Sequence, residues 1–268
     1  MLRTRVITAL CLLAAFLVVL LLLPRPAAAA AFGLVAVLAA WEWAGLMKID
    51  AAGRVIFAGV VAVCCLAAYH QAESAFPMLW WLSAGFWVAV APFWLARGWP
   101  LSANDLMGYG TGWVLIVPTW AALVGLHGRG PGYLFGAMAA VWIADIAAYF
   151  AGRALGRHKL APSISPGKTW EGAAGGAVGV LAYGAVVAIL FARGIPDDPG
   201  ELAFGALLLV LLTAVSIEGD LFESLVKRQA GVKDSSGLLP GHGGILDRID
   251  SQTSALPLVA LFLHALIR

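Results

Sequence analysis

Charge is what this 268-residue chain has least of. Its 17 Lys and Arg and 15 Asp and Glu amount to 12% of the sequence, against 62% hydrophobic residues. An ordinary soluble domain carries about 25% charged and about 45–50% apolar residues. A chain this short cannot hide so much apolar surface in a core of its own, so lipid must be the solvent for much of it. Cysteine is scarce as well. Cys11, Cys64 and Cys65 all lie in apolar runs, with no CxxC and no metal-type Cys/His spacing. That argues against a cysteine-built metal or redox centre and leaves them as small buried hydrophobes. A net charge of only +2 and the lack of any basic tract give no footing for nucleic acid. No internal repeat and no soluble domain stand out.

What is present is a series of apolar runs. Stretches near 20 residues read as membrane spans, and they fall at about 6–23, 27–47, 55–69, 78–96, 112–126, 133–151, 173–192, 202–217 and 253–267. The expected fold is therefore all-α, a polytopic integral membrane protein with about nine transmembrane helices. It forms one membrane-embedded domain over 1–268, with N-terminal spans over 6–126 and a polar, chemistry-bearing part over 133–268. Arg3 and Arg5 followed by an apolar run and Pro24-Arg25-Pro26 mimic a cleaved signal. The run has 18 residues, longer than the usual hydrophobic region of about 7–15, so a retained first helix is expected. Trp41, Trp43, Trp80, Trp81, Trp94 and Trp99 flank spans, as interfacial aromatics do.

Counting Lys and Arg in alternate loops gives an orientation. Thirteen of the 17 fall at the N-terminus and in the loops holding Lys48 and Arg54, Arg97, Arg153 to Lys168, and Lys227 to Arg248. The other four are Arg25, Arg129, Arg193 and Arg268. The positive-inside rule then makes the N-terminus and both long loops cytoplasmic and the C-terminus external.

Those two loops, 152–172 and 218–252, hold most of the unusual polar chemistry. The eighth span has no breaker but Gly219 as it leaves the membrane, so its helix should continue into water. There Asp220, Ser224, Lys227 and Arg228 fall at i, i+4, i+7 and i+8, one polar stripe. A carboxylate, a hydroxyl and two cations together suit a metal ion and phosphate oxygens. Gly231, Gly237, Gly241, Gly243 and Gly244 surround His242 and permit the backbone conformations of an anion-binding nest. Asp247 and Asp250 share a face at the start of the last helix, with Ser251 and Ser254, as hard oxygen ligands of the kind Mg²⁺ prefers. Plainer readings exist: N-terminal helix acids, snorkelling basic anchors, or a Glu223–Lys227 surface pair.

In the other loop, Ser163-Ile-Ser165-Pro166-Gly167-Lys168-Thr169 lacks the spacing of a Walker A motif. The expectation is a Pro-Gly turn with Lys168 at a helix start, a common place for a phosphate contact. Asp145 lies inside an apolar span, where a carboxylate is costly and should face the bundle or a polar cavity. Glu42, between Trp41 and Trp43, reads as an interfacial carboxylate.

The run Ser224-x-x-Lys227-Arg228-x4-Lys233-Asp234-x-x-Gly237-x-x-Pro240-x-His242-Gly243-Gly244-x-x-Asp247-Arg248-x-Asp250 resembles the signature of phosphatidate cytidylyltransferases (CDP-diacylglycerol synthases), nearest to the bacterial form. The likeness extends to Ser165-Pro-Gly-Lys168-Thr169-Trp-Glu-Gly, to Asp145 and to Ala40-Trp41-Glu42-Trp43. It implies conversion of CTP and phosphatidate to CDP-diacylglycerol and pyrophosphate in a bacterial plasma membrane, with Mg²⁺ and room for a second, monovalent cation. It also implies metal ligands at Asp220 and Asp247, with Asp250 a further candidate. Lys227, Arg228 and His242 join them as catalytic candidates. Ser165, Lys168, Ser224, Lys233, Gly243, Gly244, Arg248 and Asp145 become candidate substrate-binding residues. Partners are CTP, phosphatidate and membrane lipids, with a homodimer as one candidate assembly. Two other readings remain: the same transfer to another lipid phosphate, and a transporter using these charges as a path, which would spread charge through both membrane halves.

Overall fold

The computed structural model describes residues 2–101, 106–191, 195–196 and 198–266. The chain runs through α1 (Leu2–Leu21), α2 (Arg25–Leu46), α3 (Ala51–His70), α4 (Ala72–Gly85), a π turn (Phe86–Val90), α5 (Ala91–Arg97), α6 (Leu106–Arg129) and α7 (Pro131–Leu155). A short hairpin, β1 (Lys159–Ala161) with β2 (Ser165–Thr169), is followed by α8 (Trp170–Phe191), α9 (Pro199–Ala230) and α10 (Leu246–Leu266). Among the described residues nine helical segments are long and apolar enough to cross a membrane, α4 to α5 counting as one. The protein is accordingly an all-α polytopic membrane protein. The ends assigned from sequence to Ala192 and Ile267, and the charges Arg193 and Arg268, lie outside the described residues.

Local chemistry sets the boundaries. Asp50 and Asp198 cap α3 and α9, their side chains accepting from Gly53 N and Glu201 N, each at 2.9 Å. Gly231, at φ +80°, ends α9 in the left-handed conformation that lets the last turn close. As expected, α9 continues past its apolar stretch, reaching Ala230. The last helix starts at Leu246, seven residues before the apolar run suggested, because its polar first turns sit against protein rather than lipid. Pro257 inside α10 has no N–H for the carbonyl of Thr253. Trp87 Nε1 from the π turn donates to that carbonyl at 3.2 Å, so the break in one helix becomes a tie to another.

Packing explains why several aromatic expectations fail. Trp43, Trp80 and Trp94 are buried core residues and not interfacial aromatics, whereas Trp81 is exposed. Phe86, Trp87 and Trp94 surround Phe222 of α9 edge-on, with ring centroids 5.5–5.7 Å away, which fixes the helix bearing the polar stripe. Cys65 is buried but Cys11 is exposed, on a helix whose surroundings are apolar side chains. α7 and α8 approach closely on small residues. A Cβ on Gly172 would stand 2.9 Å from Ala148 O, and one on Gly176 would stand 3.0 Å from Ala144 O.

The helix ends sort the charges. At one end Thr8 Oγ1 donates to Pro240 O (3.0 Å), Ser235 Oγ to Glu42 Oε2 (3.0 Å) and Gln229 Nε2 to Trp99 O (3.0 Å). The N-terminus, the α2–α3 connection, the residues after α5 and both long loops therefore meet there. Arg25 lies against Gly128 at the other end, beside Tyr69 and His70. The thirteen basic residues counted on one side of the membrane thus share an end of the bundle.

Candidate active site

Both long loops fold over the end of the bundle formed by α7, α9 and α10. A cleft of about 660 Å³ opens between them, lined by Asp145 and Tyr149 from α7, Ser165 and Lys168 from the hairpin, Asp220 from α9, and Asp247, Arg248 and Asp250 from α10. Residues spread over a hundred positions of sequence are thereby brought together. Asp145 does face a polar cavity.

Two lysine–aspartate pairs organise the cleft. Lys168 Nζ lies 2.6 Å from Asp220 Oδ2, and Ser224 Oγ, one turn on, donates to Asp220 Oδ1 at 3.2 Å. Lys168 is carried by β2 and not by a helix start. The hairpin projects it across the cleft, and β2 leads straight into α8, where Thr169 Oγ1 accepts from Gly172 N at 3.1 Å. Glu171 holds the other side of the hairpin, its carboxylate accepting from Arg157 N at 3.1 Å and from His158 N at 3.2 Å. The second pair is deeper. Lys227 Nζ lies 2.6 Å from Asp247 Oδ1 and 3.4 Å from Glu223 Oε2. Glu223 and Lys227 are an i, i+4 pair, but a buried one, 3% and 9% exposed, so the surface-pair reading fails.

The glycine-rich loop is wrapped around carboxylates. Asp247 Oδ2 accepts from Ser235 N (2.8 Å), Ser235 Oγ (2.9 Å) and Gly244 N (2.8 Å). The amide of Gly244, read from sequence as part of an anion nest, is thus engaged by a protein carboxylate. A Cβ on Gly243 would stand 2.6 Å from Asp247 Oδ2 and one on Gly244 2.6 Å from Glu42 Oε1, so the close approach itself requires glycine at both positions.

Glu42 is the residue that sequence reasoning misplaced. It is 1% exposed, and its carboxylate accepts from Ser236 Oγ (2.6 Å), Ser235 Oγ (3.0 Å), Ile245 N (2.9 Å) and Leu246 N (2.8 Å). It ties the start of the loop to its end and caps α10 with negative charge. The available signal was its standing as the single acidic residue in the 22-residue helix α2.

Other predicted residues separate into two groups. Lys233, His242, Gly243 and Arg248 line a second hollow of about 570 Å³ together with Arg5, and Arg248 borders both hollows. Arg228 lines neither: it is exposed and its Nη1 donates to Val232 O at 3.4 Å. The stripe of sequence therefore splits, with Asp220 and Ser224 at the cleft, Lys227 beneath it and Arg228 outside.

The donor set can be tested against a divalent cation. Among the described residues no three His, Cys, Asp or Glu side chains form a ready metal cage. Mg²⁺ does not need one, since it is commonly held by one or two carboxylates plus water and substrate phosphates. Asp145, Asp220 and Asp250 face one cleft, and the buried Glu223 adds a further carboxylate, its Oε2 3.4 Å from Lys227 Nζ. Such hard oxygen donors fit the ion, and Asp220 and Asp250 are the residues that would hold it. Asp247 is more fully engaged, because its oxygens accept four hydrogen bonds from within the protein, against one hydrogen bond and one ion pair on Asp220.

The family model described as "Cytidylyltransferase family" matches residues 3–266. The phosphatidate cytidylyltransferase of Pseudomonas aeruginosa is 43% identical, covering 99% of this chain and 98% of that protein. The phosphatidate cytidylyltransferase of Haemophilus influenzae is 36% identical with 98% of each covered. That of Bacillus subtilis is 45% identical over 48% of each chain.

Proposed function

This chain belongs to the cytidylyltransferase family and is an integral membrane enzyme of that family, and we propose that it converts CTP and phosphatidate to CDP-diacylglycerol and pyrophosphate. The observation that carries the reading is a single cleft with two characters. Its charged lining includes the Lys168–Asp220 pair and Asp247, with Lys227 paired to Asp247 beneath it, while Tyr149 in its wall, with Phe150 and Ile146 beside it on α7, is widely exposed. A lipid can present its phosphate sideways, between helices, to charges that also face water. The thirteen-to-four distribution of basic residues supports a cytoplasmic placement of this end, where CTP is found, in a bacterial plasma membrane.

In the reaction an oxygen of the lipid phosphate attacks the α-phosphorus of CTP. The bond from that phosphorus to the bridging oxygen of the β-phosphate breaks, and pyrophosphate leaves with the electron pair. Both partners are anions, so bringing them together in line is the principal task. Lys168 stands where it can exchange its contact with Asp220 for a phosphate oxygen. Lys227, buried against Asp247 and Glu223, holds the two carboxylates of α9 and α10 in register. Asp220 and Asp250, with Asp145 opposite, would hold Mg²⁺, which when bound neutralises phosphate charge. Ser165, on the hairpin beside Lys168, lines the approach to that centre.

Purified protein given CTP, phosphatidate and Mg²⁺ is expected to form CDP-lipid and release pyrophosphate in equal amounts, and EDTA should stop both. Turnover that persists unchanged in EDTA would remove the divalent ion from the account. No CDP-lipid under any of these conditions would overturn the activity.

A further inference from the structure

The second hollow is chemically unlike the cleft. The cleft sets four acids, Asp145, Asp220, Asp247 and Asp250, against three basic residues, Arg153, Lys168 and Arg248. The hollow presents Arg5, Lys233, Arg248 and His242 against one acid, Asp234. The two meet at Arg248. A basic basin touching an acid-lined reaction cleft suits the most highly charged part of a nucleoside triphosphate, which must lie beyond the α-phosphorus and away from the attacking lipid.

Arg5 is the unexpected member. It belongs to α1, which exposes Val6, Ile7, Leu10, Leu13, Val18 and Leu21 along its length and so faces lipid rather than protein. At its polar end the helix nonetheless docks on the glycine-rich loop. Thr8 Oγ1 donates to Pro240 O at 3.0 Å, and a Cβ on Gly241, at φ +78°, would stand 2.9 Å from Arg5 Cγ. Gly241 thus packs against the arginine stem, and Arg5 lines the hollow together with His242 and Lys233. From sequence Arg5 was one of two positive-inside charges at the N-terminus. The fold separates it from Arg3, which lines neither hollow.

We propose that this second hollow holds the β- and γ-phosphates of the nucleotide, and the pyrophosphate they become, with Arg5 of the first helix as one of its binding residues. The proposal rests on the cytidylyltransferase reading, and it makes the first span part of the nucleotide site. Lipid phosphate and nucleotide tail then occupy neighbouring basins, with Arg248 between them.

The test compares Arg5→Gln, Arg5→Lys and Arg3→Gln in purified full-length protein. Loss of a charged contact to phosphate should raise the KM for CTP by about tenfold or more in Arg5→Gln. Product inhibition by pyrophosphate should weaken by a similar factor, while the KM for phosphatidate stays within twofold. Arg5→Lys should recover part of the loss, and Arg3→Gln should match wild type. On the wild-type enzyme, inorganic tripolyphosphate should compete with CTP and not with phosphatidate, a readout that holds even if Arg5→Gln fails to fold. Unchanged CTP and pyrophosphate behaviour in Arg5→Gln would overturn the proposal. So would a rise in the phosphatidate KM instead, or tripolyphosphate that competes with phosphatidate. Failure of the underlying activity is distinguishable, because wild type would then make no CDP-lipid at all.

Discussion

Asp220→Asn is expected to lower CDP-lipid formation by at least about 10²-fold while the helix bundle stays folded. The substitution keeps shape and removes charge at an acid that bridges the hairpin and α9: Oδ2 lies 2.6 Å from Lys168 Nζ and Oδ1 accepts from Ser224. Without the carboxylate Lys168 loses the partner that holds it across the cleft, and the site loses a hard oxygen donor. The side chain is 30% exposed, so the asparagine can be solvated and little stability is at stake. Lys168→Met should lose activity too. The double variant should lose less than the product of the two single losses, since both singles remove the shared Lys168–Asp220 contact. Initial rates with a thermal melt in detergent check this. An Asp220→Asn enzyme with near-normal turnover and an unchanged melt would contradict the assignment.

Glu42→Gln is the second large effect, and its cause is different. Four donors converge on this carboxylate, and two are backbone amides at the start of α10, Ile245 N and Leu246 N. An amide side chain of the same shape turns two hydrogens toward groups that are themselves donors. Ile245 N and Leu246 N bond different oxygens, so the amide nitrogen leaves one of these N–H groups without an acceptor, at a cost of about 1–3 kcal/mol, and alanine leaves both. The loop from Ser235 to Leu246 should then loosen, releasing Asp247 from Gly244 and Ser235. We expect Glu42→Gln and Glu42→Ala both to lose most activity and to melt at lower temperature, although Glu42 lines neither the cleft nor the basic hollow. Wild-type activity and melting in Glu42→Gln would show that the loop holds its shape without this carboxylate.

The sequence carried the membrane architecture because lipid imposes a simple rule. Each span must be apolar for its length, and the basic residues mark one side, so helix count, parity and the continuation of α9 were all legible. Most of the charged residues that line the cleft were legible too, because charge is so rare here that Asp145, Lys168, Asp220 and Asp250 stand out. What could not be read was pairing across the fold. The partners of Glu42 lie 193–204 positions away, and a carboxylate between two tryptophans resembles an interfacial residue until the loop that covers it is seen. The hairpin was missed because strands of three and five residues, one containing Pro166 and Gly167, leave no alternating pattern to detect. The stripe on α9 was right in its helical spacing yet spans enough of the helix surface that Asp220 meets the cleft, Lys227 the core and Arg228 water.

The most direct test of the central claim follows the phosphorus atoms. The purified protein should be given phosphatidate, Mg²⁺ and CTP labelled either at the α- or at the γ-phosphorus. The account predicts that all lipid-borne label comes from the α position and that γ label appears only in pyrophosphate, at one pyrophosphate per CDP-lipid. Label from the γ position in the lipid, or release of inorganic phosphate in place of pyrophosphate, would contradict it.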